Sequence, residues 1–136
     1  MTSMVTLEEK IKAEAFRLGF SLCGITTAQP IPHFEVYAEW LKLGNHSGMH
    51  YLESARHVES RKNPTTLMPA ARSILSLGWS YSLTTDDGFA CVAGYTQMPD
   101  YHQFLIERIK PLKEFIESEI GHPIEMQAHT DSAPIL

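Results

Sequence analysis

The chain of 136 residues contains two cysteines, Cys23 and Cys91, 68 positions apart. They form no C-x-x-C pair, so this chain alone is not expected to hold a thiolate zinc site or an iron–sulfur cluster. Both lie in apolar surroundings and read as buried, inert thiols. Long hydrophobic runs are missing too: none approaches the ~18 residues needed to span a bilayer. Met1 to Lys12 has no apolar core of the signal-peptide kind, so a cytoplasmic protein with no membrane partner is expected. Positive charge is also short, and the net charge of −5 argues against bulk attraction to nucleic acid. What is there is ordinary globular composition: 43% apolar and 20% charged residues, with 8 glycines and 8 prolines. A chain of this length makes one domain and hides roughly 15,000 Å² on folding, enough for a core without disulfides or metals.

The charge is unevenly laid out. Between Ser54 and Arg72, Arg56, Arg61, Lys62 and Arg72 face Glu59 alone, a local balance of +3 in an acidic protein. That stretch could meet phosphates, although on charge alone a solvated loop with ordinary surface arginines is the simpler reading.

Local patterns predict the elements. Thr6-Leu7-Glu8-Glu9 is a capping box. Leu7, Ile11, Ala15 and Leu18 then share one helical face, and Gly19 supplies a left-handed end. Phe20–Ile25 reads as a buried strand. Pro32 opens a second helix with Phe34, Tyr37, Ala38 and Leu41 on its apolar stripe, closed by Gly44. Ser47 is expected to cap a further short helix carrying Met49, Leu52 and Ala55. Ser73–Tyr81 is the strongest strand candidate, and Phe89–Tyr95 a weaker one after the Asp86-Asp87-Gly88 turn. Asp100 should cap the longest helix, whose apolar positions run from Tyr101 to Ile120 and stop at Gly121. Pro111 inside it is expected to kink it. Ile124–Ala128 reads as a last strand running into His129-Thr130-Asp131. This order predicts a layered α/β or α+β domain with helices over one sheet. The apolar tail Ala133-Pro134-Ile135-Leu136 has no helix after it, so the chain is expected to be truncated.

Three groups of residues are candidates for chemistry. His46 and His50 are four apart, but no H-E-x-x-H is present and Gly48 weakens a helix there. They read as exposed or capping histidines, with no metal site. Asp131 follows a candidate buried strand and precedes a proline turn, where catalytic groups are often presented. A carboxyl group partly removed from water can donate a proton near neutral pH, yet a simple helix cap near Ala133-Pro134 explains Asp131 as well. Asp100-Tyr101-His102 is either a polar ligand edge at a helix N-terminus or a cap followed by a core aromatic residue.

Six motifs in order carry a resemblance: Phe16-x-x-Gly19-Phe20 leading to Cys23-Gly24-Ile25; Trp40-Leu41-x-x-Gly44; His46-x-Gly48-Met49-x-Tyr51-Leu52; Arg61-x-x-Pro64 with Leu67-x-Pro69-x-Ala71-x-Ser73; Asp100-Tyr101-His102; and Asp131-x-x-Pro134 with Leu136. From about Phe16 onward the chain resembles the N-terminal corrinoid-binding region of epoxyqueuosine reductase. The resemblance implies an α+β, nitroreductase-like, corrinoid-binding sandwich, with helices packed on a central mixed sheet and incomplete at its C-terminus. Residues 1–136 would then be a single, truncated domain.

It also implies an oxidoreductase of queuosine biosynthesis, a tRNA-processing step in which the epoxide of epoxyqueuosine in tRNA is reduced to queuosine. Its cofactors are cobalamin and, in the full-length family, two 4Fe–4S clusters that this chain does not bind. By resemblance Asp131 is the catalytic proton donor, and Asp100, Tyr101, His102 and Pro134 face the cofactor. Arg56, Arg61, Lys62 and Arg72 would face tRNA, met through the full-length protein. Lacking the iron–sulfur module, the chain is not expected to turn over alone; the alternative is a free-standing corrinoid-binding or noncatalytic remnant module. An incomplete corrin pocket would leave apolar surface that favours self-association. The chain departs from the family pattern at Gly94, where an arginine is usual ahead of the tyrosine matched by Tyr95, and at His129-Thr130.

Overall fold

The computed structural model describes residues 5–81, 100–131 and 134–135. The candidate turn at 86–88, the candidate strand at 89–95, Gly94 and Cys91 lie outside the described residues. Four helices, α1 (Leu7–Arg17), α2 (Phe34–Lys42), α3 (Ala55–Lys62) and α4 (Tyr101–Ile120), accompany two strands, β1 (Leu22–Thr27) and β2 (Ser73–Gly78). The class is α+β. Among the described residues the sheet is a two-stranded antiparallel pair rather than the mixed central sheet expected. Ser21 N–H bonds to Gly78 O at one end and Ala28 N–H to Arg72 O at the other.

The chain divides into two compact units, residues 1–25 with 75–130 and residues 26–74 with 131–136. In the first, α1 starts where the capping box dictates. Glu9 N–H bonds to Thr6 Oγ1 at 3.2 Å, and Thr6 N–H to Glu9 Oε2 at 2.7 Å. Ile11 and Ala15 of α1 meet Leu112 and Ile116 of α4, with Phe20 beside them. Leu75, Leu77, Trp79, Leu105, Ile109, Ile124 and Met126 close the cluster from outside. Lys10 Nζ pairs with Glu119 Oε2 at 2.6 Å along the same helix pair. Half-buried Cys23 has its thiol pushed up by burial, which suits an inert side chain.

Helix α4 runs unbroken from the Asp100 cap to Gly121, whose φ of 78° is the left-handed end expected. It passes through Pro111 without interruption. Pro111 removes one backbone donor, but both Pro111 and Glu107, whose carbonyl loses its partner, are on the exposed side where water can serve it.

Two expectations fail here. Ile124–Ala128 is not a strand. It keeps the alternation, with Ile124, Met126 and Ala128 half-buried and Glu125 and Gln127 exposed, but no described neighbour completes a ladder with it. Ile124 N–H instead bonds to the Glu117 carboxylate at 2.9 Å. Ser47 likewise caps no helix. Its φ is 46° and that of Gly48 is 83°, whereas an N-cap needs extended backbone. A 3₁₀ turn covers His50–Glu53, and the capping role passes to Ser54, which accepts from His57 N–H at the head of α3.

Gly19 is held on two counts. Its φ is 98°, and a Cβ there would lie 2.9 Å from Trp79 Cη2. The Trp79 ring is itself fixed edge-on by Phe20 and Phe104, with centroids 5.5 and 5.1 Å away. Gly19→Ala therefore adds backbone strain and a close contact that the Trp79 ring must shift to relieve; a loss of ~1–3 kcal/mol is expected in urea denaturation.

In the second unit, α2 and α3 pack through aromatic and cationic groups. Tyr37 donates its hydroxyl to Leu52 O at 2.7 Å and stacks on Trp40 at 6.0 Å. The Arg61 guanidinium covers the Tyr37 ring at 5.1 Å. Ile31 N–H bonds to Lys62 O.

Candidate functional site

Three stretches of the chain hold the candidate residues. The first is the N-terminus of α4. Asp100 Oδ1 accepts from the backbone N–H of His102 at 3.0 Å, and its contact with His102 Nδ1 is 2.9 Å. Both hydrogen bonds from His102, ring first, hold the Asp100 carboxyl below the usual aspartate range. The Tyr101 and His102 rings stack at 4.1 Å with 27° between their planes, both half-buried. The sequence left a ligand edge and a plain cap open at this point; the capping role is real, and two aromatic rings with polar edges sit beside it.

This cap makes a pH prediction. The Asp100 carboxyl is lowered in the folded protein, so its stabilisation is fully present above the ordinary aspartate value of about 3.9. It fades as pH falls from there through the lowered folded value. Asp100→Asn should accordingly show a deficit against wild type that is constant at neutral pH and shrinks below about pH 4. A deficit that does not change with pH would show that the carboxylate is not the capping group.

The second place is the C-terminal stretch. Asp131 lies in an exposed turn, following an irregular segment rather than the strand expected, and Pro134 is buried. The third is the basic segment. Arg56, Lys62 and Arg72 are exposed, and among the described residues none forms an ion pair. Arg61 differs: it is half-buried over Tyr37, and its Nε is buried without a hydrogen-bond partner. The loop expected for this stretch is α3, followed by a short 3₁₀ turn at Pro64–Thr66.

A fourth grouping escaped the sequence reading. His46 was expected to be exposed or capping, yet it is buried at 7% exposure. Its Nε2 lies 3.6 Å from Glu53 Oε2, while His50 Nδ1 lies 2.8 Å from Glu53 Oε1. The three residues bring ligand-capable atoms within 4.8 Å of one another. The signal in the sequence was His46-x₃-His50-x₂-Glu53, with Glu53 the member not considered.

Known proteins place these features in a family. The family model described as "Epoxyqueuosine reductase QueG, DUF1730" matches residues 61–132, just over half the chain. Epoxyqueuosine reductase of Cellulophaga algicola is 38% identical over 132 residues, covering 93% of this chain and 41% of the relative. That of Xanthomonas campestris pv. campestris is 33% identical over 136 residues, covering 93% and 38%. The chain thus spans about two fifths of the length of the curated relatives it matches. A crystal structure of epoxyqueuosine reductase with a tRNA-Tyr epoxyqueuosine-modified stem loop superposes with a TM-score of 0.73 at 23% identity, over 96% of this chain and 36% of that one. A selenomethionine-labelled epoxyqueuosine reductase gives 0.74 at 22%, with the same coverage. At such identities the likeness speaks for the fold, while the matched family model, which takes in Asp100, Tyr101, His102 and Asp131, speaks for descent: this chain belongs to the epoxyqueuosine reductase family.

Proposed function

We propose that this chain is the N-terminal, corrinoid-binding part of an epoxyqueuosine reductase, acting in the cytoplasm on the epoxide of epoxyqueuosine in tRNA. The observation carrying the reading is the family match over residues 61–132, a range that includes Asp100, Tyr101, His102 and Asp131. The fold proposed is the nitroreductase-like sandwich of corrin-binding domains.

The residues at the head of α4 suit such a ligand. A helix N-terminus usually attracts anions, but here the Asp100 carboxylate already occupies it. What remains at that end favours a neutral ligand with amide edges over a phosphate. A corrin ring carries amide side chains, and Asp100 can accept from them while the Tyr101 hydroxyl and the His102 ring can donate or accept. By the family resemblance Pro134 would also be a cofactor-facing residue. The corrinoid, when bound, supplies the reducing electrons. Asp131 delivers a proton to the oxygen of the opening epoxide as negative charge develops on it. For that role the ligand must cover Asp131, since a carboxyl group cut off from water keeps its proton to higher pH. Arg56, Lys62 and Arg72, and Arg61 in its fixed position, would meet the tRNA backbone, where phosphate contacts supply most of the affinity. The full-length protein would bring the two 4Fe–4S clusters.

Titrating cobalamin with the chain and following its visible spectrum tests the reading. Loss of the lower axial ligand is expected as protein is added. A spectrum unchanged at protein concentrations well above that of cobalamin would remove the corrinoid assignment from this chain.

A further inference from the structure

The turn between α2 and α3 holds two histidines and a glutamate that the proposed reaction does not use. Gly44, Ser47 and Gly48 all have positive φ, at 71°, 46° and 83°. These left-handed residues coil the chain tightly around His46, so its ring is buried beside Trp40, with centroids 6.3 Å apart. The following 3₁₀ turn starts at His50 and ends at Glu53. In a 3₁₀ helix residues i and i+3 eclipse one another, which brings Glu53 Oε1 to 2.8 Å from His50 Nδ1.

The buried imidazole is the informative member. Its Nδ1 has no hydrogen-bond partner, and its Nε2 faces Glu53 Oε2 at 3.6 Å, beyond hydrogen-bonding distance. A buried polar atom without a partner, as His46 Nδ1 is, is a rarity in folded proteins. The Nε2 of the same ring is aimed at an acidic group that already reaches toward a second imidazole. The His46 and His50 rings are 5.7 Å apart and inclined at 69°.

We propose that His46, His50 and Glu53 form a binding site for a divalent transition-metal ion, with Zn²⁺ the best match. Ligand atoms placed tetrahedrally at 2.0–2.2 Å from such an ion stand about 3.4 Å apart. The two imidazoles face different oxygens of one carboxylate, at 3.6 Å and 2.8 Å, one ligand atom from each residue lies within 4.8 Å of the others, and His50 is exposed, so its ring can shift to meet an ion. Two imidazoles and one carboxylate suit zinc and its neighbours in the first transition row; magnesium and calcium favour all-oxygen shells. Three protein ligands leave a fourth position for water. Bound there, the ion would join His46 Nε2 to His50 and Glu53 and tie the Gly44–Gly48 turn to the 3₁₀ turn. The inference stands on these side chains alone and is independent of the corrinoid reading.

The test is calorimetric titration of the chelator-treated chain with ZnCl₂, paired with Co²⁺ as a spectroscopic probe. One Zn²⁺ per chain is expected, together with the visible bands of tetrahedral Co²⁺. His50→Ala and Glu53→Gln, both at exposed positions, should fold as wild type by circular dichroism. Each should weaken Zn²⁺ binding by about 100-fold, at least the 10–100-fold that follows loss of a merely supporting residue. His33→Ala, remote in sequence from the cluster, should leave it unchanged. Wild-type protein that takes up no Zn²⁺, or binding that survives either substitution at exposed His50 or Glu53, would overturn the proposal.

Discussion

Leu112→Ala is expected to destabilise the protein by ~3–4 kcal/mol, within the 2–5 kcal/mol range for large-to-small changes in cores. Leu112 has no solvent exposure at all and stands in the buried cluster with Ile11 and Ala15 of α1 and Ile116 of its own helix. Deleting its three outer carbons removes the apolar transfer term and leaves a cavity. The neighbouring side chains relax into that space only in part, which is why such changes cost more than the transfer term alone. The effect should appear in urea denaturation as a lower midpoint with an unchanged slope, and in heating as a fall of about 10 °C or more. Leu112→Met, which conserves volume, should lose less than about 1.5 kcal/mol. A loss as large in the methionine variant would mean that branching at this position, rather than filled volume, is what the core requires.

Asp131→Asn, made in a full-length epoxyqueuosine reductase carrying this region, is expected to lower epoxide reduction by ~10²–10⁴-fold, the usual contribution of a positioned acid. The asparagine keeps the size and hydrogen-bonding edge of the side chain but has no proton to give. Corrinoid binding, read from the visible spectrum, should be unchanged. That separates a lost proton from a lost cofactor. Turnover near that of the unaltered enzyme would take Asp131 out of the chemistry, and loss of the corrinoid spectrum would assign it to binding instead.

What could be read from the sequence was what short-range physics decides. The Thr6–Glu9 box, the Gly19 and Gly121 helix ends and the Asp100 cap each depend on residues within about four positions, and all four stand in the structure. Most of the failures are long-range. The Ile124–Ala128 alternation carries information about which side chains turn inward, but not about whether another strand lies alongside to bond with. Ser47 looked like a cap because the sequence shows a serine ahead of apolar residues; it does not show that Ser47 and Gly48 turn left-handed together. The burial of His46 depends on Trp40 folding over it, and the half-buried state of Arg61 depends on Tyr37. For the candidate site, the Asp100-Tyr101-His102 cap was visible as a motif. The stacking of its two rings was not, since that needs the rotamers of both residues.

The guanidinium resting on Tyr37 alters how the basic face would engage a polyanion. A surface arginine is normally a tethered charge that sweeps many rotamers, and grasping RNA freezes it at an entropic loss. Arg61 has given up that freedom during folding, so a phosphate arriving there would find a stationary cation, while Arg56, Lys62 and Arg72 would still have to be stilled. Substituting Tyr37 with leucine would set Arg61 loose without altering the number of positive charges, and ionic-strength dependence, which counts charges, would stay the same while the affinity itself declined.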